Sequence, residues 1–249
     1  MKLFTFSLLL ASYFSCVAQT PIEKTIPITA GQKLLLNLDD PQINIQTWDK
    51  KEVLIKGTVS INNGANDEAF DLQVSSTAQE ITITSLLKDR EKIPEQITIK
   101  KDDKEYFFKA SNVNDPEIKK FFDEHGRDYS YLSIGIIKNI KLEIFVPKNT
   151  ETKIQAKHGL VEVKNFAAPL TIESKFGGVD ATIPATSAGM ITARCRYGEI
   201  LTNLGVKFDQ TNKMERSSDK WTEISAKLGQ GPAYWFESKY GNVYLRKSN

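Results

Sequence analysis

Ile172-Glu173-Ser174-Lys175-Phe176-Gly177 and four relatives of it decide the fold. The pattern recurs as Ile154-Gln155-Ala156-Lys157-His158-Gly159, Ala193-Arg194-Cys195-Arg196-Tyr197-Gly198, Ile224-Ser225-Ala226-Lys227-Leu228-Gly229 and Phe236-Glu237-Ser238-Lys239-Tyr240-Gly241. Five residues before each glycine stands an apolar side chain, three before a small one, and two before always a base. An aromatic ring directly precedes the glycine in every copy but the fourth, where Leu228 stands. Two residues after the glycine an apolar side chain follows in four copies: Val161, Val179, Ile200 and Val243.

Side chains alternate along a strand, so the apolar and small positions share an inward face and the base looks outward. Glycine permits a sharp corner, often at positive φ. Each unit therefore reads as strand, corner, strand. The glycines stand 18, 21, 31 and 12 residues apart. The first two spacings fit stacked rungs. The third implies an insertion, supplied by the polar run Asp209 to Lys220, and the last implies a tight return. The fold class predicted is all-β: a single-chain β-solenoid or β-helix-like stack of short strands.

Outward from the repeats, Lys33–Leu38, Gln42–Trp48, Glu52–Ile61, Phe70–Ser76, Glu80–Leu86 and Lys141–Val146 read as strands. Ile97–Ile99 and Tyr106–Phe108 are shorter candidates. One helical insertion is expected near 115–125, capped by Asn114 or Asp115, with Pro116 in its first turn and Gly126 at its end. No Pro-, Gly- or Ser-rich linker divides the chain. Residues 19–249 are expected to form one elongated β-repeat domain, irregular over 19–138 and regular over 139–249.

Residues 1–18 read as a signal peptide, with Lys2 before the apolar run Leu3–Phe14 and Cys16-Val17-Ala18 at the cleavage point. Cleavage before Gln19 is favoured. Acylation of Cys16 is the alternative, although Tyr13 stands where a lipobox wants leucine. No later run has the length of a transmembrane segment. The expected location is therefore outside the cytoplasm: periplasm, cell surface or medium. Cleavage leaves one cysteine, Cys195, at an inward position where a buried structural thiol is expected.

The 249 residues carry 33 bases against 31 acids, a net charge of +2 that argues against a nucleic-acid partner. Two histidines in all leave no material for a histidine-rich metal site. His158 holds a ring position of the repeat, and His125 suits the C-terminal dipole of the helix. Metalloprotease, nucleophile-elbow, Walker and EF-hand motifs are all missing. Gly229-Gln230-Gly231 runs into Pro232 and reads as a turn. The acids Asp67, Glu68 and Asp71, and the pair Asp102-Asp103, read as solvated turns. Asp180 and Glu199, expected on neighbouring rungs, are the carboxylates an enzyme on this scaffold would use. No catalytic residue, cofactor or metal is assigned.

Four stretches resemble the bacterial DUF4097 family of adhesin-like β-strand-repeat proteins. Ile43-Asn44-Ile45-Gln46-Thr47-Trp48 running to Gly57 is similar to its early I-x-I-x-x-W segment. Val146-Pro147-Lys148-Asn149-Thr150 resembles its V-P-K-N-T entry into the repeats. Gly177 and Gly198 match its Y-G-D-I corners, and Ser238 to Lys247 its usual ending. The likeness spans roughly residues 22–110 and 139–247. It implies a secreted or envelope β-solenoid and brings no catalytic residues. Leu160, Gly178, Glu199 and Asn242 replace the corner aspartate, which argues against a divalent ion there.

Lys157, Lys175, Arg196 and Lys239 share an outward column, offset in part by Glu173 and Glu237; a solvated mixed-charge face is the favoured reading, and a ligand surface for an anionic polymer such as an acidic glycan or lipid headgroups is the alternative. Trp235 is a further outward candidate for sugar stacking, but in Tyr234-Trp235-Phe236 a cap over the open end of the stack is favoured. The expected role is a non-enzymatic exported envelope protein, an adhesin-like binder or scaffold, with a surface glycan or envelope protein as partner. A polysaccharide lyase or glycosidase, and an envelope sensor partner, are the alternatives. Intact mass of the exported chain is expected to show Gln19 at its start; a diacylated species beginning at Cys16 contradicts this.

Overall fold

The computed structural model describes residues 19–184, 187–214 and 220–248, with the backbone alone over 211–214. The expected signal peptide, with Cys16, lies outside the described residues. The N-terminal strands are β1 (Thr20–Pro27), β2 (Lys33–Leu38), β3 (Gln42–Trp48), β4 (Glu52–Ile61), β5 (Phe70–Ser76) and β6 (Glu80–Leu87). Then come β7 (Gln96–Lys101), β8 (Lys104–Phe108), α1 (Pro116–His125), β9 (Tyr131–Gly135) and β10 (Lys138–Pro147). The repeat region forms β11 (Thr152–Ala156), β12 (Val161–Val163), β13 (Leu170–Ser174), β14 (Val179–Ile183), β15 (Met190–Cys195) and β16 (Ile200–Thr202). It ends with β17 (Asp209–Met214), β18 (Lys220–Lys227), β19 (Tyr234–Ser238) and β20 (Val243–Lys247).

Two large sheets enclose the main core. One runs β1-β4-β10-β3-β12-β14-β20-β16 and the other β17-β18-β15-β19-β13-β11-β2-β6-β5. Their centres are parallel and in register. Leu36, Ile154, Ile172, Phe236 and Ala193 line up across one sheet, and Ile43, Val161, Val179, Val243 and Ile200 across the other. All but the half-buried Ile200 are buried. The inward and outward phase therefore follows the repeat.

The stacking order does not follow the chain. The last copy, β19–β20, lies between β13–β14 and β15–β16, so Val243 separates Val179 from Ile200. The fourth copy is no rung at all. β18 runs antiparallel beside β15, Ile224 against Ala193, and pairs with β17 from the polar insertion. The fifth rung comes instead from β2–β3, whose corner is Asp39-Asp40-Pro41 rather than a glycine. The outer parts of both sheets are antiparallel, so the molecule departs from the uniformly wound stack that the repeat predicts.

The corner glycines answer to crowding, not to backbone twist. Gly159, Gly177, Gly198 and Gly241 are not among the residues with positive φ; of the corner residues only Gly178 is, at +95°. A Cβ on Gly159 would strike the Pro41 carbonyl, on Gly177 the Gly159 carbonyl, and on Gly198 the Gly241 carbonyl. On Gly241 it would sit 2.6 Å from the Gly178 nitrogen. Rungs thus meet backbone on backbone at the corner. The small residue three before the glycine has its own task. Ser174 Oγ accepts from the Gly178 N–H (2.9 Å) and Ser238 Oγ from the Gly241 N–H (3.0 Å). The buried Cys195 thiol donates to the Gly241 carbonyl (3.2 Å).

The expected helix is present but is no bare insertion. Ile118, Phe121 and Phe122 of α1 pack on Ile97, Ile99 and Phe108 of a three-stranded sheet, β8-β7-β9, as a second apolar cluster. Asp115 caps α1 by accepting from the Glu117 N–H, and Gly126 ends it at φ +76°. Tyr234-Trp235-Phe236 do not cap an open end; Leu204, Val206 and Phe208, in the segment that joins edge strand β16 to edge strand β17, pack into the main core. Tyr234, Trp235 and Phe236 lie in central strand β19. There Tyr234 and Phe236 are buried, and the Tyr234 hydroxyl donates to the Phe166 carbonyl (2.7 Å). Burial pushes the Tyr234 phenol up to about 12.

Gly177→Ala is expected to lower unfolding stability by ~3 kcal/mol through overpacking against the neighbouring backbone. Gly205→Ala, where a Cβ meets nothing within 4 Å, is expected to stay within ~0.5 kcal/mol. Equal denaturation midpoints for the two variants contradict the crowded corner.

Candidate functional site

The residue before each corner glycine projects from the same edge of the stack. His158, Phe176, Tyr240 and Tyr197 form one ladder, with successive ring centroids 5.1, 5.1 and 5.0 Å apart and planes within 14°. Phe176, Tyr240 and Tyr197 remain 43, 45 and 54% exposed. The register explains the ladder: the Phe176 N–H bonds to Lys157 O, the Tyr240 N–H to Lys175 O, and the Tyr197 N–H to Lys239 O. Each ring thus lies over the ring of the rung before it. Stacked faces are covered by one another, so the ladder presents its ring edges, which carry the positive end of the aromatic quadrupole.

The four candidate cations come together in the order Lys157, Lys175, Lys239, Arg196, one per rung, as their backbone bonds to Leu38, Ala156, Ser174 and Ser238 show. Lys175 Nζ lies 5.0 Å from the Phe176 centroid, Lys239 Nζ 5.4 Å from Tyr240, and Arg196 Cζ 4.5 Å from Tyr197. Neighbouring charges one strand apart, ~4.8 Å, repel by about 1 kcal/mol per pair in water. Three ring pairs at ~0.5–1.5 kcal/mol each are of the size needed to offset that. The ladder therefore makes the charge column tolerable.

The expected carboxylate offset goes elsewhere. In the next outward row Glu173 binds Gln155 (3.0 Å) and Glu237 lies 3.5 Å from Arg194, and Glu173 also binds Lys153 (2.6 Å) from the row beyond. Burial works to raise the Glu173 carboxyl, but the bonds from Lys153 and Gln155 outweigh it and hold the group below its ordinary range. Lys157 reaches Asp39 at 3.9 Å. Among the described residues no carboxylate lies within ion-pair distance of Lys175 or Lys239.

Trp235 is not brought to the ladder. It faces outward, half-buried, two rows away between Thr171 and Thr192. Asp180 and Glu199 are not on neighbouring rungs either, since β20 lies between, and Arg246 holds Asp180 with two bonds of 2.6 and 2.8 Å. Asp67 is not a solvated turn residue. It is buried and accepts from the Ile61 N–H and the Thr20 hydroxyl. Asp102 and Asp103 do form an exposed turn, at φ +51° and +59°. Burial pushes the Cys195 thiol up, away from reactive thiolate chemistry. Among the described residues no three His, Cys, Asp or Glu side chains gather as a metal site, and no helix is long and apolar enough to cross a membrane.

Sequence reasoning passed over one further concavity. Phe107 and Tyr131 are exposed on the outer face of the three-stranded sheet and line an open cleft of about 660 Å³ with Ser60, Lys100, Ile134 and Asn139. β9 carries no clear signal in sequence, so the cleft had none.

No family model and no curated protein matches the chain. Two solved structures are similar to it. A "putative cell adhesion protein" from Clostridium sporogenes is 12% identical, over 92% of this chain and 100% of that one, with a TM-score of 0.44. A "putative adhesin" from Bacteroides fragilis is 11% identical, over 93% of this chain and 99% of that one, with a TM-score of 0.23. Likeness at this level assigns neither family nor function.

Tyr240 is an inner ring of the ladder. Tyr240→Ala is expected to lose ~1–3 kcal/mol of unfolding stability by removing two ring pairs, while Tyr240→Phe keeps them and is expected to match wild type. A Tyr240→Ala protein as stable as wild type shows that the rings do not support one another.

Proposed function

We propose that this chain is an exported, non-enzymatic envelope protein that acts as an adhesin-like binder, and that its contact surface is the aromatic and cationic ladder. Export rests on the leader-like residues 1–18. The observation that carries the binding role is the run of four cations on four consecutive rungs, beside exposed rings, with Lys175 and Lys239 free of any carboxylate among the described residues. Such a surface attracts an anionic partner. The carboxylates that catalysis would need are separated or tied to cations, which favours binding over hydrolysis.

The mature chain is expected to sediment with protease-stripped envelope fragments at low ionic strength and to be released as salt rises, because exposed charge is screened over ~8 Å at physiological ionic strength. Lys175→Glu with Lys239→Glu is expected to abolish sedimentation without lowering the melting temperature. Sedimentation that ignores both salt and the double substitution overturns the proposed surface.

A further inference from the structure

We propose that the open cleft on the outer face of the three-stranded sheet binds one neutral sugar unit of a glycan, stacked on Phe107. This is a second site. It shares no residue with the ladder, and its chemistry is uncharged.

One wall of the cleft is the sheet β8-β7-β9, and the other is the end of β4 and the start of β10, where Ser60 pairs with Asn139. The buried Asn62 ties the walls together. Its side chain donates to the Pro94 carbonyl (2.9 Å) and accepts from the Ile137 N–H (3.0 Å). The segments that lead into β7 and out of β9 are thus both fastened to the end of β4. The cleft is therefore a preformed junction of about 660 Å³, within the ~300–1,000 Å³ of small-ligand sites.

Strand register arranges the sheet wall. Thr98 stands between Phe107 and Ser133, and Lys100 between Glu105 and Tyr131. These six face away from α1, which packs on Ile97, Ile99 and Phe108. Lys100 and Glu105 neutralise one another across 2.5 Å, and the carboxylate holds the Lys100 ammonium above its ordinary range. Lys100 also lies 5.6 Å from the Tyr131 centroid. Phe107 is exposed, and among the described residues no ring or cation lies against it. The open face of an aromatic ring attracts C–H groups, which carry the positive charge its quadrupole favours.

The polar lining names the rest of the ligand. Ser60 and Thr98 are only 7 and 8% exposed, yet their hydroxyl oxygens reach the cleft and have no hydrogen-bond partner among the described residues. Asn63, Ser133 and Asn139 add side chains equally without a protein partner. Leaving such groups unmatched is costly, so an acyl chain does not suit the cleft. An anion needs a free cation, and the lysine here is taken by Glu105. Hydroxyls and amides both donate and accept, as a ring of neighbouring hydroxyls requires. A sugar has that ring of hydroxyls and a C–H face besides. Its C–H face lies on Phe107, and its hydroxyls meet Thr98 and Ser133 on one wall and Ser60 and Asn139 on the other.

The test titrates methyl glycosides of glucose, galactose, mannose and N-acetylglucosamine into the mature protein, with methyl glucuronide as the charged probe, followed by ligand-observed NMR. At least one neutral glycoside is expected to bind, and the glucuronide more weakly. Phe107→Ala and Thr98→Val are each expected to weaken binding by about tenfold. Thr98→Val keeps the shape of the side chain and removes a hydroxyl that no protein group pairs, so its melting temperature is expected not to fall. Lys175→Glu with Lys239→Glu is expected to leave sugar binding unchanged while envelope sedimentation is lost, which separates this site from the ladder. Failure of every neutral glycoside to bind overturns the site, as does binding that survives both Phe107→Ala and Thr98→Val. Tighter binding of the glucuronide overturns the neutral class. Loss of sugar binding in the double lysine variant places the sugar on the ladder and overturns the cleft.

Discussion

Backbone meets backbone at the corners of this stack, and the rest of the structure depends on that contact. Gly177 sits against the Gly159 carbonyl and Gly198 against the Gly241 carbonyl, with no room for a Cβ between rungs. The close approach locks the register at the corner, so the residues flanking each glycine fall into line. Small residues sit on the inner side, where Ser174, Ser238 and Cys195 bind corner backbone. Rings and bases sit on the outer side. The ladder is therefore a consequence of the corner, and its four members come from four separate stretches of chain.

The same contact gives the C-terminal rung an unusual position. β19 and β20 pair on both sides, with β13 and β15 in one sheet and with β14 and β16 in the other. The last strands of the chain are thus central strands. Without them, two rung edges would stand open, each a template for pairing with another chain. The pairings are also distant in sequence, so closure of the stack waits for the C-terminus. The column of bases depends on this insertion, because Lys239 stands between Lys175 and Arg196.

Much of this was legible in the sequence, for physical reasons that differ by element. Gln42–Trp48 declares itself because apolar and polar residues alternate over most of it with one face buried, and Glu52–Ile61 because of its β-branched and apolar run. The cap and stop of α1 were equally plain. Stacking order was not legible, because a repeat reports that units are equivalent and says nothing of which are adjacent. Yet the fourth copy carried its own warning. Leu228 replaces the ring and Gly231 stands where the others have an apolar residue, and that copy became an antiparallel strand. The β2–β3 rung was hidden for the opposite reason: its Asp39-Asp40-Pro41 corner lacks the glycine that keys the pattern. Asp67 looked like one of a cluster of surface acids because its partners, the Ile61 N–H and the Thr20 hydroxyl, lie outside the local pattern. The cation column was visible as a repeat position, but its continuity over four rungs was not.

The order of the rungs is what the whole account turns on, and cross-linking reads it directly. In-register neighbours on adjacent strands lie ~4.8 Å apart, within the reach of a disulfide, while strands two apart lie near 10 Å and out of reach. Two double variants decide the matter under mild oxidation: Lys175→Cys with Lys239→Cys, and Lys175→Cys with Arg196→Cys. Rapid intramolecular cross-linking of the first pair, and none of the second, is expected. Cross-linking of Lys175→Cys with Arg196→Cys, and none with Lys239→Cys, would mean that the rungs stack in chain order and that the continuous ladder does not exist.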